Sequence, residues 1–409
     1  MISVNAKYWI WITSVLGYNN PKVKRIYELY PDVSLFYAGS EKEWRFCGIF
    51  TETEINKFKK TSLKYSDKII SKCEKLGYSV MSIDDINYPE CLINIFSPPA
   101  VIYIKGNLPD IDNRLTIAIV GTRKATKYGL DNSYKIAYAL SKYGVTTVSG
   151  GALGVDCASH RGSLAANGVT ICVLGCGINA NYLKENEKMR EAITNRGAVI
   201  SEYPPDEKPR NFYFPARNRI ISALSNGVLI IESGATSGSL ITANYALEQG
   251  KELFALLGNN SPQNEGSNNR IKEGSAIPIT DFMDILNSFD NLYLTDGEVD
   301  FDEIDFDDID AIPVKGKNRI KINDDKKIYK VEKKENNIET VKTEIKHKEN
   351  INVSDTARLV YKYISNEPVH IDKISYDLDI PIFRVLSSMT ELEMNGLVEA
   401  LQGRRYILK

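Results

Sequence analysis

The sequence predicts an α/β protein built on a doubly wound, mostly parallel sheet. Eight strand candidates lie between residues 79 and 257, and several of them are near-continuous runs of Val, Ile and Leu, which are typical of strands buried on both faces of a parallel sheet. Stretches of about ten or more residues with helical character separate most of them, as in successive β-α-β units. Several runs end in turns rich in glycine and hydroxyl residues. Ligands of doubly wound folds bind at the carboxyl ends of the strands, so these turns are the first candidates for a functional site.

Length and composition set outer limits on the class of protein. A chain of 409 residues is expected to contain about two to four domains. The apolar fraction of 43% and the charged fraction of 25% are ordinary for a globular protein. The formal net charge is −2, so any basic binding site must be local.

The cysteines and the amino terminus bear on cellular location. The six cysteines form no Cys-x-x-Cys pair, which favours reduced intracellular thiols over a disulfide framework or a metal site. The first residues have neither the basic start of a secretory signal nor the apolar length of a membrane helix. We therefore expect a cytoplasmic protein without a metal ion.

The first two predicted domains are a small helical domain, residues 1–65, and the sheet domain, residues 66–290. Pro, Gly and Asn interrupt the helical pattern of the first domain at short intervals. Its predicted helices are 7–16, 21–30, 33–36 and 51–60. The predicted strands of the second domain are 79–82, 100–104, 116–120, 145–149, 169–174, 198–201, 227–231 and 252–257.

A charged linker, residues 291–352, is predicted to follow the sheet domain. Residues 296–310 are densely acidic, and residues 315–350 are rich in Lys, Glu and Asn, a composition typical of a disordered tether. Contact of the basic half with DNA is the alternative interpretation.

Residues 353–409 form the last predicted domain. Three predicted helices, 356–364, 371–378 and 381–395, precede a two-stranded ribbon, which is the winged-helix pattern, and the first of them is amphipathic. The third helix carries Arg384 but also Glu391 and Glu393, and acidic side chains oppose phosphate. Binding of duplex DNA and contact with another protein both remain open for this domain.

Two turns at strand ends are candidate phosphate sites. Ile119-Val-Gly-Thr-Arg123 places Gly121, Thr122 and Arg123 where open backbone N–H groups and a guanidinium can bind phosphate, and a structural salt bridge is the alternative. Ser149-Gly-Gly-Ala-Leu-Gly-Val-Asp156 offers Ser149, Gly150, Gly151 and Gly154, for which a tight packing turn is the alternative. Capping or stabilisation by the helix dipole accounts for Asp156 at the start of the following helix. A hydrogen-bonded, partly buried position accounts for His160, with a catalytic role as the alternative.

Later turns add further candidates. Phe214-Pro-Ala-Arg-Asn-Arg219 combines an aromatic ring suited to base stacking with two arginines, and core or dimer packing is the alternative for the ring. One of the two arginines is expected to contact backbone phosphate while the other holds a neighbouring loop. Three small residues at a predicted helix start form a candidate anion nest. Exposed basic residues are candidates for the rim, with a solvated surface position as the alternative. The later candidates are Phe214, Arg217, Asn218, Arg219, Ser237, Gly238, Ser239, Lys127, Lys184 and Arg210.

These blocks stand together in an order that resembles the DNA-processing protein A (DprA/Smf) family. Further blocks in register include Ile200-Ser-Glu-Tyr-Pro204 and Ser237-Gly-Ser-Leu-Ile-Thr242, and the dense match covers about residues 85–280. Two departures are Leu153, where the family has arginine, and Tyr182-Leu183, where it has Tyr-Pro.

The resemblance implies an extended Rossmann-like sheet domain between a SAM or helix-hairpin-helix-like domain and a winged helix. It also implies a homodimeric cytoplasmic protein that binds and protects single-stranded DNA during natural transformation and loads the RecA recombinase onto it.

An enzyme is the strongest competing interpretation. The lonely-guy phosphoribohydrolases use the same extended Rossmann shape and require Pro-Gly-Gly-x-Gly-Thr-x-x-Glu. The corresponding segment here is Glu232-Ser-Gly-Ala-Thr-Ser-Gly-Ser239, in which Ser239 stands at the place of the late glutamate. We therefore expect no catalytic residues and no cofactor, and a nucleotide-binding protein remains the second alternative.

Overall fold

A computed structural model describes residues 2–289, 298–299, 329–330, 354–365, 368–378, 380, 382–401 and 405–409. The predicted linker, residues 291–352, with its acidic stretch 296–310, lies outside the described residues except at 298–299 and 329–330. These four residues form two short strands, β10 (Glu298–Val299) and β11 (Tyr329–Lys330), which pair in antiparallel fashion. The chain divides into two compact units, one containing residues up to Ile285 and the other containing the carboxyl-terminal residues.

Six helices precede the sheet: α1 (Ala6–Leu16), α2 (Lys22–Leu29), α3 (Val33–Ala38), α4 (Glu41–Phe46), α5 (Glu52–Lys60) and α6 (Lys64–Leu76). Ser40 and Thr51 begin α4 and α5 with reciprocal capping boxes. The indole of Trp11 packs among other buried rings, with Phe58 at a centroid distance of 4.9 Å. Sequence reasoning missed α4 and α6. Helix α6 runs across residue 65, and Trp9 of α1 shares one buried cluster with Val80 of the sheet.

The sheet domain contains nine strands: β1 (Ser79–Ser82), β2 (Val101–Gly106), β3 (Thr116–Val120), β4 (Thr146–Ser149), β5 (Thr170–Leu174), β6 (Ala198–Ser201), β7 (Gly227–Ile230), β8 (Glu252–Leu256) and β9 (Ile277–Ile279). Their order is β1-β2-β6-β5-β4-β3-β7-β8-β9. In this spatial order, all neighbouring pairs from β6 through β9 are parallel. Strand β2 pairs in antiparallel fashion with both of its neighbours, β1 and β6. The predicted fold class and all eight predicted strands are confirmed, and β9 was missed.

Helices connect and cover these strands: α7 (Glu90–Ile93), α8 (Lys127–Lys142), α9 (Val155–Ala165), α10 (Glu187–Thr194), α11 (Tyr213–Ala223), α12 (Ser239–Glu248), α13 (Glu265–Lys272) and α14 (Phe282–Leu286). The chain adds β4, β5 and β6 on one side of β3, and β7, β8 and β9 on the other. The strand order therefore reverses between β3 and β7, and the crevice at such a point is the usual ligand site of a doubly wound sheet.

The carboxyl-terminal unit contains α15 (Asp355–Tyr363), β12 (Val369–His370), α16 (Ile371–Leu378), α17 (Ile382–Met394), β13 (Val398–Leu401) and β14 (Arg405–Leu408). Strand β14 lies between β12 and β13. The carboxyl-terminal unit has its own buried core, which includes Val360, Ile374 and Leu392. The predicted helices and ribbon are present, and β12 adds a third strand. Among the helices described in both units, none has the length and apolarity needed to cross a bilayer.

Candidate functional site

A cavity of about 370 Å³ opens where the strand order reverses. Its walls come from the end of β3, the turn after β4, the first turns of α11 and the start of α12. The predicted residues that line it are Gly121, Arg123, Phe214, Arg217, Asn218, Ser237, Gly238 and Ser239. Turns that are far apart in the sequence meet here because the carboxyl ends of parallel strands share one edge of the sheet.

The turn after β3 carries an available guanidinium. Arg123 is exposed, and its guanidinium carbon lies 5.4 Å from the centroid of the Phe214 ring. With the residues that the structure describes, Arg123 makes no ion pair. Thr122 does not line the cavity, and its N–H donates to the carbonyl of Glu232 at 2.8 Å. Arg123 is therefore free to bind an anion while its planar group lies on an aromatic face.

A buried carboxylate holds this turn in place. The Glu232 side chain accepts hydrogen bonds from the N–H of Thr126 at 2.8 Å and from its hydroxyl at 2.5 Å. A Cβ atom at Gly129 would lie 2.4 Å from the same carboxylate, so a larger residue there would displace the Glu232 side chain. Glu232 thus fixes the start of α8 and the turn that carries Arg123.

The glycine-rich turn after β4 packs tightly beneath the cavity. A Cβ atom at Gly150 would lie 2.6 Å from the Arg217 guanidinium. Gly151 and Gly154 adopt positive φ angles of 64° and 81° and lie against Cys172 and the carbonyl of Thr122, respectively. The buried Ser149 hydroxyl donates to the carbonyl of Ile119 at 2.7 Å. These four predicted residues do not line the cavity.

Arg217 is buried at the cavity wall and is fixed by backbone carbonyls. Its Nη1 donates to the carbonyl of Gly150 at 2.8 Å and to that of Val173. Burial lowers the pKa of Arg217. Asp156 also lines the cavity, and burial raises the pKa of its carboxyl group, although nearby Arg217 opposes this effect. Sequence reasoning assigned Asp156 to capping and so missed its position in the cavity wall.

Arg219 lies away from the cavity. It forms a buried ion pair with Glu202 at 2.7 Å and donates to the carbonyl of Ser97 at 2.8 Å. The same Glu202 oxygen accepts the N–H of Asn19 from the amino-terminal helices at 3.2 Å. Arg219 therefore links the segments around Ser97 and Glu202, and Glu202 in turn contacts Asn19. Its guanidinium does not point into the cavity.

The start of α12 supplies a hydroxyl cluster. The hydroxyls of Ser237 and Ser239 are 2.8 Å apart, and that of Ser239 donates to Ser233 at 2.9 Å. The Asn218 amide reaches the carbonyl of Gly238 at 3.3 Å. The side chains of α11 and α12 are thereby held together at the cavity edge.

Phe214 forms the aromatic wall. The centroid of its ring lies 5.2 Å from that of the Tyr182 ring. A Cβ atom at Gly175 would lie 2.7 Å from the Phe214 ring. The neighbouring Tyr213 instead stacks on Tyr203 at 4.0 Å within the core. Of these rings only Phe214 lines the cavity.

The predicted basic rim does not gather at this cavity. Lys127 is paired with Asp131 at 2.8 Å, and Arg210 with Glu207 at 3.2 Å. Lys184 lines a second cavity. Sequence reasoning also missed Asn211 and Thr242, although both lie in or beside the motif blocks that contribute to the site.

His160 is fully buried, whereas the sequence predicted a hydrogen-bonded, partly buried histidine. Its Nδ1 lies 2.8 Å from the Thr170 hydroxyl. Burial, together with the charge of Arg217, lowers the pKa of His160 to about 3, so the ring is neutral at physiological pH.

Comparison with known proteins shows the family of the chain. Residues 79–290 match the family described as DNA recombination-mediator protein A, and residues 347–404 match the DprA winged helix domain. The chain is 34% identical to Protein Smf of Synechocystis over 334 residues, which cover 79% of this chain and 78% of that protein. It is 37% identical to DNA processing protein DprA of Streptococcus pneumoniae over 57% of this chain and 82% of that protein.

A solved structure agrees with these similarities. The X-ray structure of DNA processing protein A from Streptococcus pneumoniae superposes with a TM-score of 0.62 at 32% identity, covering 69% of this chain and 98% of that chain. The motif blocks, the nine-stranded sheet and the carboxyl-terminal winged helix all indicate the same family. The chain belongs to the DNA recombination-mediator protein A (DprA/Smf) family.

Proposed function

We propose that this protein binds single-stranded DNA by inserting one nucleotide into the cavity at the strand-order reversal. The observation that carries the proposal is the free guanidinium of Arg123 stacked on Phe214 beside the buried Arg217. Arginine suits phosphate, and an aromatic ring suits any base, so the pair favours DNA binding that tolerates sequence changes. A cavity of about 370 Å³ is at the small end of ligand sites and admits an unpaired nucleotide more readily than a duplex.

We propose further that the protein holds the strand without cleaving it. The Glu232 carboxylate is engaged by Thr126, and the neutral His160 ring contacts Thr170. The Ser239 hydroxyl is hydrogen-bonded within the serine cluster. These contacts support binding over the phosphoribohydrolase alternative. Incubation with nucleoside monophosphates distinguishes the two, since only the enzyme releases free base.

A preference for single strands is the first expected result. We expect tighter binding to a thymidine oligonucleotide than to the matching duplex. The logarithm of the association constant should fall linearly with the logarithm of the salt concentration, because phosphate contacts release counterions. Fluorescence anisotropy titrations at several salt concentrations measure both quantities. Equal or tighter binding to the duplex would contradict the proposed single-strand site.

Family membership supports a proposal about the partners. Relatives carry the names DNA processing protein DprA and DNA recombination-mediator protein A. On this basis we propose a cytoplasmic homodimer that acts in natural transformation and delivers single strands to RecA. The four-domain division, at residues 1–65, 66–290, 291–352 and 353–409, also remains a proposal.

RecA loading has its own test. Substoichiometric amounts of this protein are expected to speed RecA assembly on single strands that carry a competing single-strand-binding protein. The physical reason is that a homodimer carries two pockets, and binding of one pocket raises the effective concentration of the other on the same strand. RecA filament formation is followed by its ATPase activity. If the protein slows assembly at every ratio, the loading proposal fails and protection of the strand remains.

A further inference from the structure

A second cavity, of about 440 Å³, lies beside the first in the same unit. It is formed by the loop after β5, the start of α10 and the edge of β2. Tyr182, Lys184 and Arg190 line it. The two cavities are neighbours because Tyr182 of the second contacts Phe214 of the first.

Three side chains form a continuous row between the cavities. The guanidinium of Arg123 lies 5.4 Å from the Phe214 centroid, and the Phe214 centroid lies 5.2 Å from that of Tyr182. The two rings are inclined by 36°. Successive bases of a single strand stack on aromatic rings arranged in this way.

The backbone around Tyr182 is held in an unusual conformation. Leu183 has φ 44° and ψ 72°, a left-handed conformation that is uncommon for a large side chain. Arg190 donates to the carbonyl of Leu183 at 3.1 Å and to that of Tyr182 at 2.9 Å. Asn186 ties the same segment to the carbonyl of Gly151 at 3.1 Å. Strained backbone that is fixed by its surroundings is concentrated at functional sites.

The charges of the cavity leave one lysine available. Lys105 is neutralised by Glu191 at 2.5 Å, and Arg190 is engaged by the two carbonyls. Lys184 is exposed and makes no ion pair with the described residues, although Glu187 also lines the cavity. Because Lys184 and Tyr182 line the same cavity, the exposed ammonium group suits a phosphate that follows a base stacked on the ring.

We propose that this second cavity is a subsite for the adjoining nucleotide of the same strand, with its base on Tyr182 and its phosphate at Lys184. The inference rests on the proposed function, because it requires the neighbouring nucleotide to occupy the first cavity. It also accounts for the distance of Lys184 from the first cavity.

Substitution of Tyr182 tests the subsite. Tyr182→Leu is expected to weaken binding of a thymidine oligonucleotide about tenfold, because stacking is lost, whereas Tyr182→Phe keeps the ring and binds within about twofold of the unaltered protein. Phe46→Ala, which removes a ring that is 95% exposed among the amino-terminal helices, is the matched control and leaves affinity unchanged. Lys184→Gln is expected to reduce the salt slope by about 0.7, the value for one lost phosphate contact.

Photocross-linking gives a second readout that does not depend on variants. An oligonucleotide with a single 5-iododeoxyuridine is expected to cross-link to Tyr182, as identified by mass spectrometry of the full chain. Unchanged affinity of Tyr182→Leu, or cross-links to Phe214 without any to Tyr182, would overturn the subsite and leave the proposed function standing. Failure of the unaltered protein to bind single strands would overturn both.

Discussion

Replacing Arg219 with methionine is expected to lower the free energy of unfolding by about 3–5 kcal/mol, the cost of leaving one partner of a buried ion pair uncompensated. The side chains of Arg219 and Glu202 are only 3% and 2% exposed, and their closest atoms are 2.7 Å apart. The substitution also removes the donor to the carbonyl of Ser97. Urea unfolding of the full chain measures the loss.

Two variants make this result specific. The double variant Arg219→Met with Glu202→Leu is expected to recover part of the stability, because no unpaired charge then remains in the interior. Arg25→Met removes an exposed pair with Glu28 and is expected to cost less than about 1 kcal/mol. Unchanged stability of Arg219→Met, together with a smaller salt slope for single-strand binding, would instead indicate a phosphate contact.

Removing the guanidinium of Arg123 is expected to weaken single-strand binding by about 1–3 kcal/mol, the scale of a lost charge-assisted contact. The side chain is exposed and lies on Phe214, so the melting temperature of Arg123→Ala should stay close to that of the unaltered protein. Arg217→Ala is expected to lose both affinity and stability, since it leaves the carbonyls of Gly150 and Val173 without their donor.

Arg114→Ala is the matched control for Arg123. Arg114 is exposed just before β3, at the opposite edge of the sheet from the turn that carries Arg123. We expect its removal to leave affinity within about twofold, because single surface charges distant from a site contribute little. Equal losses of single-strand affinity for Arg114→Ala and Arg123→Ala would indicate that Arg123 contributes only nonspecific electrostatic attraction. Unchanged affinity in both variants would refute the site assignment.

The strands and the phosphate-type turns could be predicted because their physical causes are local. Several of the eight strands are near-continuous apolar runs bounded by turn residues, and these local features are why all eight were found. The short strand Ile277–Ile279 was missed because its three residues include the exposed Pro278, which interrupts the apolar pattern. Parallel strands end at one edge of the sheet, so the turns after β3 and β4 had to lie near each other.

Which side chains enter the cavity was decided only by the tertiary structure. Arg217 and Arg219 stand in one motif, yet residues two apart in a helix point about 160° apart around its axis. One therefore faces the cavity and the other pairs with Glu202. Asp156 of α9 lies in the same cavity wall as Arg217 of α11, and only the packing of these two helices brings the residues together. The sequence determined the fold and the edge of the sheet where the site lies, whereas the packing of distant elements decided which charged groups remain free there.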